Sequence, residues 1–445
     1  MPSICSGNIV ARVSGILLLL VMALLFGISD ASALVPVSTG PSLFHKGGTG
    51  ECDGCHATRA SEGSPSNSAT GSPNLLGSDP SSTCLRCHQT PQGVLLKQEH
   101  HVATSGADLG GGSPPGQLTP GGDFGWLKKS YGWSGEGAAR GETSPGERHG
   151  HNIVAADFSY AADTRLTRAP GGGYPASSLS CISCHDPHGN YRRSIDGTVS
   201  TTGMPIVASG SYNTSPDPDA AHTVSVYRLL AGNGYQTKNS PGQAFTAAPP
   251  AAVAPSSYNR EESAADTRVA YGSGMSEWCG NCHGAVHTDS SSGATQHASG
   301  NHARLSAEVT YNYNSYVASG NLNGSASSSY TSLVPFEMGT DDYGILKSTA
   351  NNDGSDKRGP TGNSNVMCLS CHRAHASGWD NMTRWNVNST FIVYNGSYPG
   401  SDNGAPADIA QGRTSAEVRK AFYGREAATY ASYQRGLCNK CHAKD

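Results

Sequence analysis

Three things are scarce in this sequence of 445 residues: hydrophobic residues, long apolar runs, and cysteines outside one short motif. Only 36% of the residues are hydrophobic, while 56 are glycine and 25 are proline. A chain of this composition buries too few of its own side chains to offset its conformational entropy. We therefore expect the ordered part to form around something other than an ordinary apolar core.

An excess of positive charge is also missing. Lys and Arg total 30 against 34 Asp and Glu, a net charge of −4. This balance excludes the basic surface of a nucleic-acid-binding protein, and we expect no nucleic acid among the partners. The glycine-rich stretches lack the lysine and hydroxyl residue of a phosphate-binding loop, so no nucleotide site is predicted.

The sequence has one long apolar run, at its N-terminus. Arg12 precedes "GILLLLVMALLFGI" (15–28), and the small residues "ASA" (31–33) follow. This pattern is typical of a secretory signal, and the run is too short to span a bilayer. We expect residues 1–33 to be removed on export and residues 34–445 to form a single continuous domain. An uncleaved N-terminal anchor is the alternative.

Twelve of the thirteen cysteines lie in six C-x-x-C-H motifs. The thirteenth, Cys5, precedes the apolar run, so no cysteine remains for a structural disulfide. The motifs are "CDGCH" (52–56), "CLRCH" (84–88), "CISCH" (181–185), "CGNCH" (279–283), "CLSCH" (368–372) and "CNKCH" (438–442).

A C-x-x-C pair alone is also typical of zinc sites and redox dithiols, but a histidine at one fixed offset in all six motifs favours attachment of haem c. Six covalent haems are therefore predicted. The attachment residues are Cys52, Cys55, Cys84, Cys87, Cys181, Cys184, Cys279, Cys282, Cys368, Cys371, Cys438 and Cys441. The proximal iron ligands are His56, His88, His185, His283, His372 and His442.

The segments between the motifs do not resemble one another and are 27, 92, 93, 84 and 65 residues long. They are rich in Ser, Gly and Pro, which predicts loops. Helices are expected around the motifs, at "TSAEVRKAFYG" (414–424) with a capping box, and within residues 302–320. We expect a loop-rich multihaem cytochrome c with few short α-helices and very little β-structure. Its core should be stacked haems, and no segment between motifs should have a core of its own.

Each iron has a second axial position, whose ligand separates electron transfer from catalysis. Eleven histidines lie outside the motifs, which is enough for bis-histidine ligation; Met204, Met275, Met338 and Met382 are the competing ligands. His188, His287 and His375 follow a motif histidine by three or four residues. In a helical turn such pairs share a face, so each of the three histidines is placed to reach a neighbouring iron.

Beyond the motifs, the chain resembles the OmcS-type outer-surface hexahaem cytochromes of metal-reducing bacteria. The stretches that carry the resemblance are "TPGGDFGW" (119–126), "GHNIVA" (150–155), "CHDPHGNYRR" (184–193), "AAVAPSSYNR" (251–260), "GMSEWCGNCH" (274–283), "CLSCHRAHASG" (368–378) and "YQRGLCNKCHAKD" (433–445). The resemblance implies bis-histidine haems in a stacked chain and end-to-end polymerisation into conductive filaments. It also implies these distal ligands: His45, His101, His151, His188, His287, His297 and His375.

One position departs from that family. The family has a histidine three residues after the first motif, which crosses to the adjacent subunit and ligates its fifth haem. Here the position is Arg59, which cannot ligate iron. We expect a substitute ligand from among the four histidines that the family pattern does not use: His100, His149, His222 and His302.

The sequence thus predicts an exported cytochrome that carries electrons to extracellular acceptors such as metal oxides, with periplasmic or outer-membrane cytochromes as donors. Self-association into filaments is expected, and a monomeric shuttle is the alternative. A multihaem reductase is the third interpretation. It needs an open iron, often marked by a C-x-x-C-K motif, and this chain has none.

Overall fold

The structure is a computed structural model. It describes residues 54–56, 75–90, 101–117, 119–135, 141–255, 269–288, 298–325, 334–350 and 359–442. All of these belong to one compact unit that spans residues 43–445. The predicted signal peptide and the boundary at residue 34 lie outside the described residues.

The helices in the described ranges are few and short, as the sequence predicts. They are α1 (Pro80–His88), α2 (Met275–Thr288), α3 (Ala307–Ser315), α4 (Tyr343–Thr349), α5 (Cys368–Cys371), α6 (Ala407–Ala410), α7 (Ser415–Ala421) and α8 (Cys438–His442). None of the described helices is long and apolar enough to cross a membrane.

Helix α7 begins at the predicted capping box. The Thr414 hydroxyl accepts from the backbone N–H of Glu417, and the Glu417 carboxylate accepts from the backbone N–H of Thr414 at 2.9 Å. These two bonds satisfy N–H groups that a helix start leaves without partners. Helix α3 is shorter than the predicted 302–320, because Ser306 caps its start and Arg304 pairs with Asn365 instead.

The β-structure consists of strands of two or three residues, which confirms the expectation of very little sheet. They are β1 (Tyr131–Trp133), β2 (Glu142–Ser144), β3 (Arg192–Arg193), β4 (Val199–Ser200), β5 (Ile206–Ala208), β6 (Thr223–Ser225), β7 (Ala252–Val253), β8 (Ala270–Tyr271), β9 (Phe391–Val393) and β10 (Gln434–Arg435). One four-stranded sheet has the order β4-β3-β6-β5, with β5 and β6 parallel. The pairs β1–β2, β7–β8 and β9–β10 are antiparallel.

The expectation that no segment between motifs has its own core is wrong for the last one. The largest apolar cluster consists of Tyr316, Val334, Trp379, Trp385, Ile392, Val393, Tyr398, Val418, Phe422, Tyr430 and Leu437. We call this cluster the C-terminal core. All of its members except Tyr316 and Val334 lie between the fifth and sixth motifs. Aromatic residues fill much volume each, so a short segment with a low hydrophobic content can still bury a core.

Candidate functional site

The described motifs lie on short helical turns, as predicted. Helix α1 contains the second motif, α2 the fourth, α5 begins the fifth and α8 is the sixth, while the third motif begins with a 3-10 turn at Cys181–Ser183. A single turn places both sulfurs of C-x-x-C on the same side. Of the first motif, Gly54, Cys55 and His56 are described.

Successive motifs are neighbours in space. The second and third meet where Cys84 and Cys181 are hydrogen-bonded through their thiols, and the Ser81 hydroxyl accepts from the backbone N–H of Cys181 at 3.1 Å. The fourth and fifth meet in the same way, where the thiols of Cys279 and Cys368 are hydrogen-bonded. The backbone N–H of Cys368 also donates to the Ser276 hydroxyl at 3.0 Å. The equivalent serine precedes the first motif cysteine by three residues in both cases.

At the other junctions between motifs, a thiol of one motif affects the pKa of a thiol in the next. Burial raises the pKa of Cys184 in the third motif, and Cys282 in the fourth raises it further. Burial likewise raises the pKa of Cys371 in the fifth motif to about 11, with a further contribution from Cys438 in the sixth. Cys55 of the first motif acts on Cys84 of the second. The six motifs therefore follow one another through the molecule in the order of the sequence.

Three motif histidines have their Nδ1 atom fixed by the backbone. Each donates to a carbonyl oxygen 2.8 Å away: His185 to Arg228, His283 to Pro170 and His372 to Asn381. A carbonyl can only accept, so Nδ1 carries the proton and Nε2 presents its lone pair. This is the tautomer of a metal-bound histidine, whose other nitrogen usually donates to a carbonyl or carboxylate.

The carbonyl that accepts from the His185 ring belongs to a distant segment, residues 228–231, that is joined to the third motif by three hydrogen bonds. We call this arrangement a clamp. Besides the bond to His185, the backbone N–H of Asp186 donates to Leu229 at 2.8 Å, and that of Ala231 donates to the Cys184 carbonyl at 2.9 Å. Arg228 and Leu229 both have left-handed backbone angles, with φ of 52° and 54°. Such angles are strained for these residues and persist where surrounding contacts enforce them.

The fifth motif has the same clamp, built from an unrelated sequence. Asn381 and Met382 are left-handed, with φ of 56° and 57°. Met382 accepts from the backbone N–H of Arg373 at 2.9 Å, and Arg384 donates to the Cys371 carbonyl at 2.8 Å. The repeat of this geometry at two motifs, without sequence similarity, indicates that the backbone is shaped around the histidine that it holds.

The fourth motif is held differently. His283 departs from helical geometry inside α2, with φ −115° and ψ 41°, and this lets its ring reach the Pro170 carbonyl. Gly171, at φ 67°, accepts from the backbone N–H of Ala285 at 2.8 Å. A Cβ on Gly172 would lie only 1.8 Å from the Cys282 carbonyl, so only glycine fits there.

Two pairs of histidine rings face each other across a gap. His56 and His188 are nearly parallel, at an interplanar angle of 11° with ring centroids 6.4 Å apart. His151 and His283 are 6.1 Å apart at 37°. Two imidazoles on opposite sides of one metal ion, each with its nitrogen about 2 Å from the ion, have centroids about 6 Å apart. The spacing of both pairs thus fits one iron between two rings.

His188 is positioned by a turn that directly follows the third motif. The buried carboxylate of Asp186 accepts from the backbone N–H of His188 at 3.1 Å, and from the backbone and side chain of Asn190 at 2.9 and 2.8 Å. The residues "DPHGN" therefore direct the ring of His188 away from its own motif. The ring it faces is that of His56, of the first motif, and ligation of that neighbouring iron stays a prediction.

Three stretches that carry the family resemblance meet at one place, which we call the histidine hub: residues 121–122, 150–151 and 374–376. His375 donates its backbone N–H to Gly121 at 2.7 Å and accepts from His151 at 2.9 Å. The His151 ring donates through Nδ1 to the Ala374 carbonyl at 2.7 Å. Burial lowers the pKa of His151 to about 4, which keeps the ring neutral as an iron ligand must be.

The hub depends on glycines at two close approaches. A Cβ on Gly122 would lie 2.0 Å from the Ala376 carbonyl oxygen, and one on Gly150 would lie 2.4 Å from that of His375. The ring of His375 stacks on Phe124 at 4.7 Å. Burial lowers the pKa of His375 to about 3, and the nearby His185 lowers it further. His375 therefore lies beside the third motif and not only beside its own.

Several predicted ligands are not tested by this geometry. Cys52, His45 and His297 lie outside the described residues, and of His287 only the backbone, in α2, is described. His101 is buried, with Nε2 facing Gly116 at 3.8 Å from the position of an added Cβ. The remaining motif residues, His88, Cys87, Cys441 and His442, lie in or at the ends of α1 and α8.

His149 does not fit the role of substitute ligand for the fifth haem. It is fully buried, Nδ1 donates to the Trp126 carbonyl at 3.0 Å, and Nε2 is bonded to the Ser144 hydroxyl at 2.8 Å. The Arg413 guanidinium lies 3.4 Å from the same Nε2. Both nitrogens are thus used by the fold. Arg59 and His100 lie outside the described residues, and His222 and His302 are exposed.

Sequence reasoning missed the residues that hold the ligands. The carbonyls of Pro170, Arg228 and Asn381 belong to segments with no motif. Asp186 could have been identified from the sequence, because an aspartate two residues before a histidine, ahead of "HGN", is typical of a turn that is capped by a side chain. Among the described residues no three His, Cys, Asp or Glu side chains form a group that could hold a metal ion.

A comparison with models of known protein families finds no match. The chain is 50% identical over 424 residues to the C-type cytochrome OmcS of Geobacter sulfurreducens, an alignment that covers 93% of this chain and 97% of that protein. It is also similar to two solved structures from that organism. A cryo-EM structure of OmcS nanowires matches with a TM-score of 0.80 and 48% identity. An outer-membrane cytochrome S filament matches with a TM-score of 0.82 and 50% identity.

Both structural matches cover 90% of this chain and the whole of the other. The loop-rich fold with little sheet is therefore that of these cytochromes, and the resemblance read from the sequence is confirmed. The chain belongs to the OmcS family of c-type cytochromes, whose cofactor is covalently bound haem.

Proposed function

We propose that the chain binds six haems and carries electrons along them to extracellular acceptors, as one subunit of a filament. The observation that carries the proposal is the row of motifs in sequence order, each close enough to the next for their thiols to interact. A bound haem supplies an iron that takes up and releases one electron. The chain's own contribution is to fix the ligands of each iron and to keep neighbouring motifs close.

In this proposal each iron has a motif histidine as its proximal ligand and a second histidine as its distal ligand. His56 and His188 bind the iron of the first motif, and His283 and His151 that of the fourth, because the two rings of each pair face each other. His185 and His375 bind that of the third, because His185 is the titratable group that acts most strongly on His375. His45, His101, His287 and His297 are the candidate distal ligands of the second and sixth motifs, whose proximal ligands are His88 and His442. The fifth motif, with proximal His372, takes one of the histidines that the family pattern does not use.

The carbonyl bonds to Nδ1 have a functional consequence for electron transfer. They hold the ring orientation through both oxidation states and raise the basicity of Nε2, as bonds from the second coordination shell generally do. Two strong ligands on each iron leave no position for a substrate. Electron transfer is therefore favoured over the reductase interpretation.

Intact-mass spectrometry and electron paramagnetic resonance test the haem assignment. We expect six haem additions, no free thiol in the mature chain, and uniformly low-spin ferric iron. Fewer additions, or bound zinc, would contradict six covalent haems. A stoichiometric high-spin signal that responds to nitrite would favour the reductase instead.

Filament formation rests on the similarity to filament structures and is tested by cryo-electron microscopy of the secreted, haem-loaded protein. Filaments are the expected result, and particles of single subunits would favour the monomeric shuttle. The fifth motif is the critical junction, because Arg59 replaces the family's crossing ligand. With His149 excluded, we expect His100, His222 or His302 to complete that site, and alanine variants of each identify it by spin state and filament length.

A further inference from the structure

The clearest unexplained group in the structure is the side chain of Glu337, which is completely buried. Its backbone pairs with Asn365 through bonds of 3.0 and 2.9 Å in the two directions. It also pairs in parallel with Tyr271 of β8. Glu337 thus lies between the strand that leads into the fourth motif and the segment that leads into the fifth.

The carboxylate of Glu337 lies at the start of the helix that carries the fourth motif, beside the residue that contacts the fifth. Its Oε1 accepts from the backbone N–H of Met275 at 2.8 Å, at the start of the helix α2 that carries the fourth motif. The next residue, Ser276, accepts from the backbone N–H of Cys368, the first cysteine of the fifth motif, at 3.0 Å. Cys279 and Cys368, which meet here, would hold the two haems at this junction.

The other carboxylate oxygen has no hydrogen-bond partner. Glu337 Oε2 is buried without a partner within the described residues. An ionised oxygen in this state is costly, because burial removes water that no donor replaces. Glu277, on the first turn of α2, adds a second negative charge nearby. Burial, and then the Glu277 charge, raise the pKa of Glu337 to about 7 against the pull of the helix N–H groups.

The charged and titratable groups that face Glu337 are few. From α2 the group is Glu277, and from α5 it is Cys368, which carries no charge once it forms a thioether. On the adjoining segment, Arg304 turns its guanidinium to Gly362 and Asn363. The charge that changes near Glu337 during electron transfer is therefore that of the iron.

We infer that Glu337 is a redox-linked proton-binding site: it takes up one proton from water when an electron arrives at the fourth or fifth motif and releases the proton when the electron leaves. The inference rests on the proposed function, which places haems at these motifs. The electron comes from the donor cytochrome, and ferric iron becomes ferrous. The positive charge lost at the iron is replaced by the proton on the carboxylate, so the local net charge is unchanged.

Glu277 provides the path for the proton. Its carboxylate is partly exposed and accepts from the backbone N–H of Asn301 at 2.8 Å on the surface. A proton that binds there first relieves the repulsion between the two carboxylates. The proton then moves to Glu337, whose buried carboxylate has the higher affinity for it, since two close carboxylates favour sharing one proton.

The test is Glu337→Gln in the haem-loaded chain, because glutamine keeps the shape and can still accept from Met275. In the unaltered protein, reduction between about pH 6 and pH 8 is expected to add an infrared carbonyl band of a protonated carboxyl group. The midpoint potential of the affected haems should fall as pH rises through the same range. Both features should be lost in Glu337→Gln.

Two further variants separate the alternatives. Glu277→Gln removes the repelling charge and should move the titration to lower pH. Glu426→Gln is the control, since that exposed carboxylate is paired with Arg419 far along the chain, and it should change neither feature.

The inference is overturned if Glu337→Gln carries six haems and keeps the band and the slope; the proposed function would then stand. If Glu337→Gln does not acquire haem, the unaltered chain decides: no carboxyl band on reduction, together with no shift in Glu277→Gln, overturns the inference. A chain with fewer than six haems would instead contradict the proposed function.

Discussion

The histidine hub and the C-terminal core are both buried, but they are held together by different forces. The hub joins three distant segments through backbone bonds, close glycine contacts and the bond from the His151 ring to the Ala374 carbonyl. The C-terminal core buries aromatic rings of one segment against each other, such as Tyr398 on Phe422 at 5.6 Å. The core can therefore form from the chain alone, whereas the residues of the hub are glycine, alanine and histidine, which bury little apolar surface of their own to offset the entropy of bringing its segments together.

The difference between the hub and the C-terminal core indicates that bound haem stabilises one part of the chain more than another. In the hub a bound iron would act as a cross-link, since His151 and His283, which face each other, are 132 residues apart in the sequence. Between the fifth and sixth motifs the polypeptide has an apolar core of conventional type. Dependence of folding on the cofactor should thus differ along one chain, and this difference can be measured.

The largest expected effect is that of producing the full chain without haem attachment. Amides of the hub, at residues 150–151 and 374–376, should lose at least about 100-fold of their hydrogen-exchange protection, because their local opening is no longer opposed by iron ligation. Amides of β9 and of α7 should keep part of theirs. Equal loss in both regions would refute the distinction.

The second prediction compares two phenylalanines of equal burial, Phe422 in the core and Phe124 packed against the hub, each 4% exposed. Alanine at either position should lower the free energy of unfolding by about 3–5 kcal/mol, from lost transfer energy and the cavity left behind. The spectra should differ. Phe124→Ala frees the ring of His375, which it stacks on, and should shift the resonance signal of one haem. Phe422→Ala should shift none.

These same sites show which features of the fold could be predicted from the sequence and which could not. The motifs, the capping box at Thr414 and the loop-rich fold follow from local patterns, so they could be predicted. The bonds from motif histidines to Pro170, Arg228 and Asn381 could not, because each depends on a carbonyl from a segment with no signature of its own. The C-terminal core was missed because its aromatic residues, scattered through stretches such as "WDNMTRWNVNSTF", have no helix or strand period.

His149 shows the same limit for histidines. It lies two residues from His151, and the sequence does not reveal that both nitrogens of one ring are bonded within the fold while the other ring faces that of His283. The difference arises from Ser144 and Trp126, which approach from other segments. A count of histidines therefore overstates the number of ligands available.

The third prediction separates these two histidines. His151→Ala should convert about one sixth of the iron from low-spin to high-spin, because one of six irons loses its sixth ligand. His149→Ala should leave the spin state unchanged and cost about 2–3 kcal/mol of stability, since Ser144 and Trp126 lose a buried partner. Ile195→Ala, at an exposed position with no candidate ligand, is the control for both measurements. A high-spin signal from His149→Ala would reverse the assignment.

The smallest effect is expected at Asn381, where the clamp of the fifth motif adjoins the C-terminal core. Asn381 is exposed and left-handed, and its carbonyl holds Nδ1 of His372. Asn381→Val should cost about 1–2 kcal/mol, because a β-branched side chain is strained at positive φ and the carbonyl turns away to relieve the strain. The resonance signal of the fifth haem should change with it. Asn381→Gly should be neutral or gain a few tenths of a kcal/mol in this conformation, and should leave the signal as it is. If valine and glycine behave alike, the left-handed backbone does not position His372, and the clamp is a consequence of the motif instead of its support.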